Sequence, residues 1–388
     1  MLLLALACKP PTPAAEPVPE VRYTPIPEAE TEADAWLLQR VPGASLDRGL
    51  ARAARLLAAM APDPTARITP EAAASALGMA GYPGHASFAK TLNSGAWPDE
   101  LAELLADLAL ARAQPIDVAL ARRDYGDGTT LWFVAYAFRP VFVDPMPRDL
   151  ALDQTLPVRI ELGEGAVGHE AVLFVDGPNQ PVRAYELATE RYQYIDGFHV
   201  PGVWRLEVVT TSSTESQVAL IWTVYVDADP PGPVPLPRGE PATADPMVDA
   251  EALYGALDTL RAEAGLPTLE RFELFEPLAR EHSAYMAHTG VVDHVLPGVT
   301  EGVAARARES FHPKARHHED LAAAPTWQDA LALVELSPGH LRNLHCESCT
   351  HVSIGTALEP AVPAKLYVTW ELLEFPQGTP RPLEVWNR

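Results

Sequence analysis

Apolar positions change their spacing along the chain, and each change marks a different kind of element. Between residues 35 and about 115, Leu46, Leu50, Ala54 and Leu57 recur at helical spacing, as do Leu101, Leu104, Leu105 and Leu108. Ser45-Leu46-Asp47 and Thr69-Pro70-Glu71 supply helix starts, since a side-chain oxygen there can accept from a free backbone amide and proline suits the first turn. Thr130 to Arg139, rich in aromatic and branched residues, predicts a strand. Residues 35–147 are thus expected to form a helical α+β domain.

From 148 to 228 the pattern becomes alternating, with runs at Val158 to Leu162, Glu170 to Val175, Gly202 to Thr210 and Gln217 to Val226. Glycine, proline and asparagine separate them, and Asp176-Gly177-Pro178-Asn179 is a strong turn signal. Short strands at this spacing predict a β-sandwich of immunoglobulin-like type, read as a spacer or adhesion domain. Residues 229–245 are proline-rich and predict a linker, because proline blocks both helix continuation and strand pairing. Helical periodicity then returns. Asp249 to Glu263 places Leu253, Leu257 and Leu260 on one side and stops near Gly265, while Pro277 to Thr289 closes at Gly290. His282 shares the apolar face of the second helix with Leu278 and Met286, a spacing that favours core packing. Val352 to Leu358 and Leu366 to Leu373 read as strands.

Length changes this picture little: 388 residues fit two or three domains, and 47% hydrophobic residues provide ample core. Charge changes it more. A net charge of -23 argues against nucleic acid, whose phosphates need a basic surface. Residues 1–8 form a short apolar run ending at Cys8, which looks like the remnant of a lipoprotein signal with Cys8 as the lipidated residue; a chance cysteine on an apolar tail is the other reading. Residues 9–34, rich in Pro, Ala and Glu, predict a tether, and 377–388 a tail. No run approaches the ~18 apolar residues that span a bilayer. Membrane attachment is therefore expected only through Cys8, on a protein of the cell envelope or exterior.

Candidate chemistry concentrates in 246–376. His282-Ser283-Ala284-Tyr285-Met286-Ala287 is followed by Asp293-His294, then by His318-Glu319-Asp320-Leu321-Ala322, then by Ser337-Pro338-Gly339-His340-Leu341-Arg342-Asn343. These four pieces, in this order, resemble the CAP superfamily, also called SCP-like, whose members include cysteine-rich secretory proteins and many bacterial envelope proteins. Asp293, His318, Asp320 and Leu341 depart from its usual Ser, Gly, Asn and Arg. The resemblance implies an α-β-α sandwich and assigns two cavity histidines, His294 and His340. Together with the two units predicted before it, the whole chain is expected to be an α+β multidomain protein with three folded units.

Two neutral imidazoles, a water and a carboxylate suit Zn2+ if the rings converge at ~2.0 to 2.1 Å from the ion, with Glu319 fixing a ring tautomer. A metal-free polar network of His294, Glu319 and His340 is the other reading. Glu335 and Asp329 are further acids near the same helix, and the lone loop residue His85 receives no chemistry. Cys346-Glu347-Ser348-Cys349 lies between His345 and His351. A disulfide is expected in an oxidising compartment, ahead of zinc held with His351 and of a redox dithiol.

These residues point to a non-catalytic surface protein binding an unidentified small molecule, lipid or peptide. The alternative is an extracellular hydrolase acting on peptide or cell-wall material, for which Ser337 would need His340 as base. No Gly-x-Ser-x-Gly or His-Glu-x-x-His motif accompanies it. A purely structural adhesion role is a third reading.

Overall fold

The computed structural model describes residues 20–93, 97–111, 116–163, 166, 169–211, 216–239, 245–294, 316–359 and 365–375. Cys8, the first part of the expected tether and the 377–388 tail lie outside these residues.

The first unit contains β1 (Glu20–Val21), β2 (Pro25–Ile26), α1 (Glu32–Arg40), β3 (Ala44–Asp47), α2 (Arg48–Met60), α3 (Pro70–Ala80), β4 (Ala86–Asn93), α4 (Asp99–Ala111), β5 (Ile116–Asp124) and β6 (Thr130–Phe138). Its sheet has the order β2-β3-β5-β6-β4. Asp47 accepts from the amides of Gly49 and Leu50 at the start of α2, and Thr69 from that of Ala72 at the start of α3. Leu50, Ala54 and Leu57 of α2 pack with Leu131 and Phe133 of β6. Two short segments inside the expected helical stretch are strands, because β3 pairs with β5 and β4 with β6 across long sequence separations that local periodicity does not register. Residues 20–34, assigned to the tether, are also folded. Val21 and Ile26 are buried, and a capping box between Thr31 and Asp34 starts α1.

The second unit comprises β7 (Val141–Val143), β8 (Met146–Pro147), β9 (Asp149–Leu150), β10 (Leu156–Val158), β11 (Ile160–Leu162), β12 (Glu170–Asp176), β13 (Arg183–Leu187), β14 (Gln193–Ile195), β15 (Gly202–Thr211) and β16 (Ser216–Val226). A sheet of order β13-β12-β15-β16-β9 shares one core with the pairs β10-β14 and β11-β7. Leu173, Trp204, Leu206, Val208 and Trp222 fill that core together with Leu156, Ile160 and Ile195. Strand alternation turns Glu207 of β15 to the opposite face, where it is nonetheless fully buried. β1 pairs with β8, so the start of the described chain is stitched to this unit.

The proline-rich segment after β16, predicted to be a linker, lies in its described part on the first unit. Val234 and Leu236 enter the α2 core, and the Arg67 amide donates to Pro237 O at 2.9 Å.

The third unit follows as α5 (Pro246–Glu263), β17 (Glu270–Arg271), α6 (Glu276–Thr289), β18 (Arg316–Ala324), α7 (Trp327–Glu335), α8 (Pro338–Leu344), β19 (His351–Leu358) and β20 (Leu366–Glu374). Its sheet has the order β17-β19-β20-β18. Ala322, Ile354, Val368 and Trp370 pack against Leu253 and Leu257 of α5, Val334 of α7 and Leu344 of α8. Leu321 and Tyr367, on the other face, pack against Met286 and Ala287 of α6. Helices therefore cover both sheet faces, and β18 is left as an edge. Among the described residues no helix is long and apolar enough to cross a membrane.

Candidate functional site

The site is built around the edge strand β18. Alternation sends Glu319 toward α6 and sends His318 and Asp320 toward the layer of α7 and α8. On the α6 side, His282 is buried, and both its ring nitrogens meet oxygen acceptors: Nδ1 is 2.9 Å from Glu319 Oε1 and Nε2 is 3.0 Å from Asp293 O. Two oxygen acceptors require two ring protons, so His282 is an imidazolium. The other Glu319 oxygen lies 2.5 Å from Nδ1 of His294, whose side chain keeps 39% of its surface exposed. One carboxylate thus holds two histidines, one within α6 and one beyond its end.

The electrostatics follow from that arrangement. Burial alone would raise the Glu319 carboxyl, but hydrogen bonds from His282 and His294 outweigh it and hold the group below the usual carboxylate range. Burial alone would lower both histidines, and the bond and charge of Glu319 raise them instead. Glu371 of β20 stands directly opposite Glu319 in the ladder, fully buried, and is also in contact with Nε2 of His317. Burial and then the Glu319 charge push the Glu371 carboxyl well above its ordinary range.

On the other side of β18, Asn343 Nδ2 of α8 donates to Asp320 Oδ1 at 2.8 Å. Asp320 Oδ2 is buried with no hydrogen-bond partner among the described residues, and burial raises this carboxyl well above its ordinary range. The Asn343 bond ties α8 to the strand and so fixes the helix that carries His340. His340 itself is pushed down to about 4, first by burial and then by the charges of His294 and His85. It is a neutral imidazole at physiological pH.

His294 and Glu319 are therefore brought into contact, and His340 lies near enough to His294 to feel its charge without joining a tight group. Among the described residues, two sets of three ligating side chains have their donor atoms within 4.8 Å of one another: His282, Glu319 and Glu371, and His318, Cys346 and Cys349. The helical spacing of His282 predicts core packing; the residue is buried as predicted but carries a charge and anchors Glu319. A charged residue inside the apolar run Leu366 to Leu373 was the signal for Glu371. His85, given no chemistry, comes near enough to His340 to influence its protonation.

The remaining candidates fall elsewhere. Asp329 is bonded to Thr326 at the start of α7 and to Arg67 of the first unit at 3.0 Å. Glu335 borders a groove of about 420 Å³ between α5 and α7, away from the histidines. Ser337 Oγ donates to Glu207 Oε1 at 2.7 Å and accepts from the His340 amide, which leaves its hydroxyl committed away from the His340 ring. Cys346 and Cys349 have sulfurs 2.06 Å apart, at disulfide distance. His318, not His351, is the histidine beside them; His351 instead packs edge-on against Phe272 and Phe375.

Neither a protein-family model nor a curated protein sequence matches this chain. By structure it is similar to an outer surface protein from Borrelia burgdorferi, with 19% identity, 34% of this chain and 97% of that one covered, and a TM-score of 0.31. It is similar also to an extracellular protein containing an SCP domain from Bacillus anthracis, with 16% identity over 45% of this chain and 64% of that one, at a TM-score of 0.30. A cysteine-rich secretory protein from Staphylococcus aureus shows 9% identity over 61% of this chain and 82% of that one, at 0.27. The descriptions of these neighbours are of extracellular, secretory or surface proteins.

Proposed function

We propose that this is a surface or secreted binding protein whose third unit takes a ligand at the β18 edge through His294 and His340. The observation that carries this reading is the double hold on Glu319. His282 anchors one oxygen from the protein interior, and the other orients His294 by Nδ1, which leaves the opposite ring nitrogen, Nε2, to meet a ligand. A carboxylate behind an imidazole is the arrangement that fixes tautomer and orientation in histidine metal sites and in histidine hydrogen-bonding sites alike. A neutral His340 nearby is a second acceptor or ligating nitrogen. Zn2+ fits this donor chemistry, as does a polar group of a small molecule or peptide. Anchoring through Cys8 belongs to the same proposal.

The commitment of Ser337 to Glu207 favours binding over hydrolysis, since no nucleophile–base pair forms there. The test is zinc titration of the full-length, oxidised protein alongside His294→Ala and His340→Ala. Wild-type binding weakened tenfold or more in both variants is the expected result. Equal zinc binding in all three would remove the metal form of the proposal, and absence of zinc binding throughout would direct screening to organic ligands with the same variants as controls.

A further inference from the structure

The second convergent group lies on the other side of β18 from Glu319. His318 offers one ring nitrogen, and Cys346 and Cys349 offer their sulfurs, all within 4.8 Å of one another. The two cysteines sit in the turn between α8 and β19, and that turn is held by contacts that do not involve sulfur. Arg261, fully buried in α5, donates from Nη1 to Leu344 O at 2.7 Å and to Cys346 O at 3.2 Å, and from Nε to Pro267 O at 2.9 Å. Ser348 Oγ donates to Glu374 Oε2 at 2.9 Å, which fastens the tip of the turn to the end of β20. The backbone would therefore present both sulfurs at the same place with or without a bond between them.

We propose that Cys346, Cys349 and His318 form a redox-gated site for a thiophilic divalent cation, with Zn2+ as the fitting ion. In the oxidised form the two sulfurs bond to each other and are lost as ligands. A dithiol reductant delivers two electrons and two protons: the Cys346–Cys349 bond breaks, each Sγ becomes a thiol, and the reductant's own sulfurs join in a disulfide. Zn2+ then displaces both thiol protons to solvent and gains two bonds to sulfur and one to a His318 ring nitrogen, with water in the fourth position. Tetrahedral zinc with Zn–S of about 2.3 Å places its sulfur ligands about 3.8 Å apart. With 5.4 Å between the two Cα atoms, rotation of the cysteine side chains reaches that separation. This three-donor set leaves the His282, Glu319 and His294 network untouched, so the inference stands independently of the ligand proposed for the β18 edge.

The experiment compares the full-length protein, stripped of metal, in its oxidised and dithiol-reduced forms by zinc titration against a chromophoric chelator. The reduced form is expected to take up one equivalent more than the oxidised form. His318→Ala should weaken that extra equivalent at least tenfold while leaving the disulfide able to form, and Cys346→Ser should abolish it. Cobalt in place of zinc should give thiolate-to-metal charge-transfer absorption in the reduced form alone. The His294→Ala, His340→Ala double variant should keep the extra equivalent, which separates this site from the other one. Equal uptake in both redox forms, or an unchanged extra equivalent in His318→Ala, would overturn the proposal.

Discussion

Ser337 Oγ donates to Glu207 Oε1 at 2.7 Å, a bond that joins a buried carboxylate of the second unit to the residue capping the helix that carries His340. The amide of Gly339 donates to the other Glu207 oxygen, and Arg342 of the same helix stacks over Phe174 at 5.7 Å. The position of His340 is consequently set from two sides, by Asp320 within its own unit and by β15 and β12 of the neighbouring one. Coupling between units is built into the candidate site.

Glu207→Gln keeps the shape of the side chain but replaces one acceptor oxygen with an amide that can only donate, so one of the two donors on α8 loses its partner. A buried donor left unsatisfied costs about 1–3 kcal/mol. Hydrogen exchange across residues 338–344 is expected to quicken in this variant, with little change elsewhere in the third unit. Protection equal to wild type would show that Phe174 and Arg342 hold the helix unaided.

The same carboxyl makes the junction pH-dependent. Burial raises Glu207 to about 7 against an ordinary 4.5, with Gly339 and Ser337 pulling in the other direction. A raised carboxyl keeps its proton in the folded state after the unfolded chain has lost its own. Stability from this group therefore falls as pH rises from about 4.5 to 7, at up to ~1.4 kcal/mol per pH unit. Thermal unfolding scanned over that window should show a downward trend that is flatter in Glu207→Gln. Identical slopes would mean that other groups dominate.

His282 should matter more to folding than His294, although both touch Glu319. His282→Phe removes the interior partner of a buried carboxylate, a change that ordinarily costs about 3–5 kcal/mol, whereas His294 is 39% exposed and its loss is partly replaced by water. Chemical denaturation of the two single variants is the check. A larger loss in His294→Ala than in His282→Phe would contradict the anchoring role given to His282.

Local rules were enough for the parts of this chain that local physics decides. Asp47 and Thr69 start helices where their oxygens and Pro70 said they should, and Gly265 and Gly290 follow helices with φ of 73° and 71°. The long alternating runs at Glu170, Gly202 and Ser216 are strands for the same reason. What escaped depends on remote partners. β3 exists because β5 passes beside it, Val234 and Leu236 are buried because the first unit offers them a surface, and His282 is charged because Glu319 and Asp293 O arrive from elsewhere. Of the site, His294 and Glu319 were legible as a pair, and the resemblance of four short segments carried that. The partner of the cysteine pair was not: His345 and His351 flank it in sequence, whereas His318 stands far before it in the chain and is brought to it only by the fold.

The sheet also fixes how closely α6, with its His282, can approach. A Cβ added to Gly355 of β19 would lie 2.1 Å from the carbonyl carbon of Ala279 and 2.3 Å from the amide nitrogen of Arg280, both backbone atoms of α6. Backbone cannot swing aside as a side chain does, so Gly355→Ala must push the helix off the sheet. Ser283 Oγ, which donates to Gly355 O at 3.0 Å, would lose its register as well. Overpacking of this kind costs about 1–3 kcal/mol where side chains can yield, and the backbone contact places this case at or above the upper end. Gly255 in α5 gives the matched comparison, because nothing lies within 4 Å of an added Cβ there and alanine is the better helix former. Gly255→Ala is expected to be neutral or to stabilise by up to about 1 kcal/mol, and Gly355→Ala to lower the unfolding midpoint sharply and loosen His282 along with α6. Nuclear magnetic resonance of the histidine side chains would detect the second effect as a change in the His282 ring protons. A Gly355→Ala protein with wild-type stability and an unchanged His282 signal would show that α6 does not sit against the sheet at this distance.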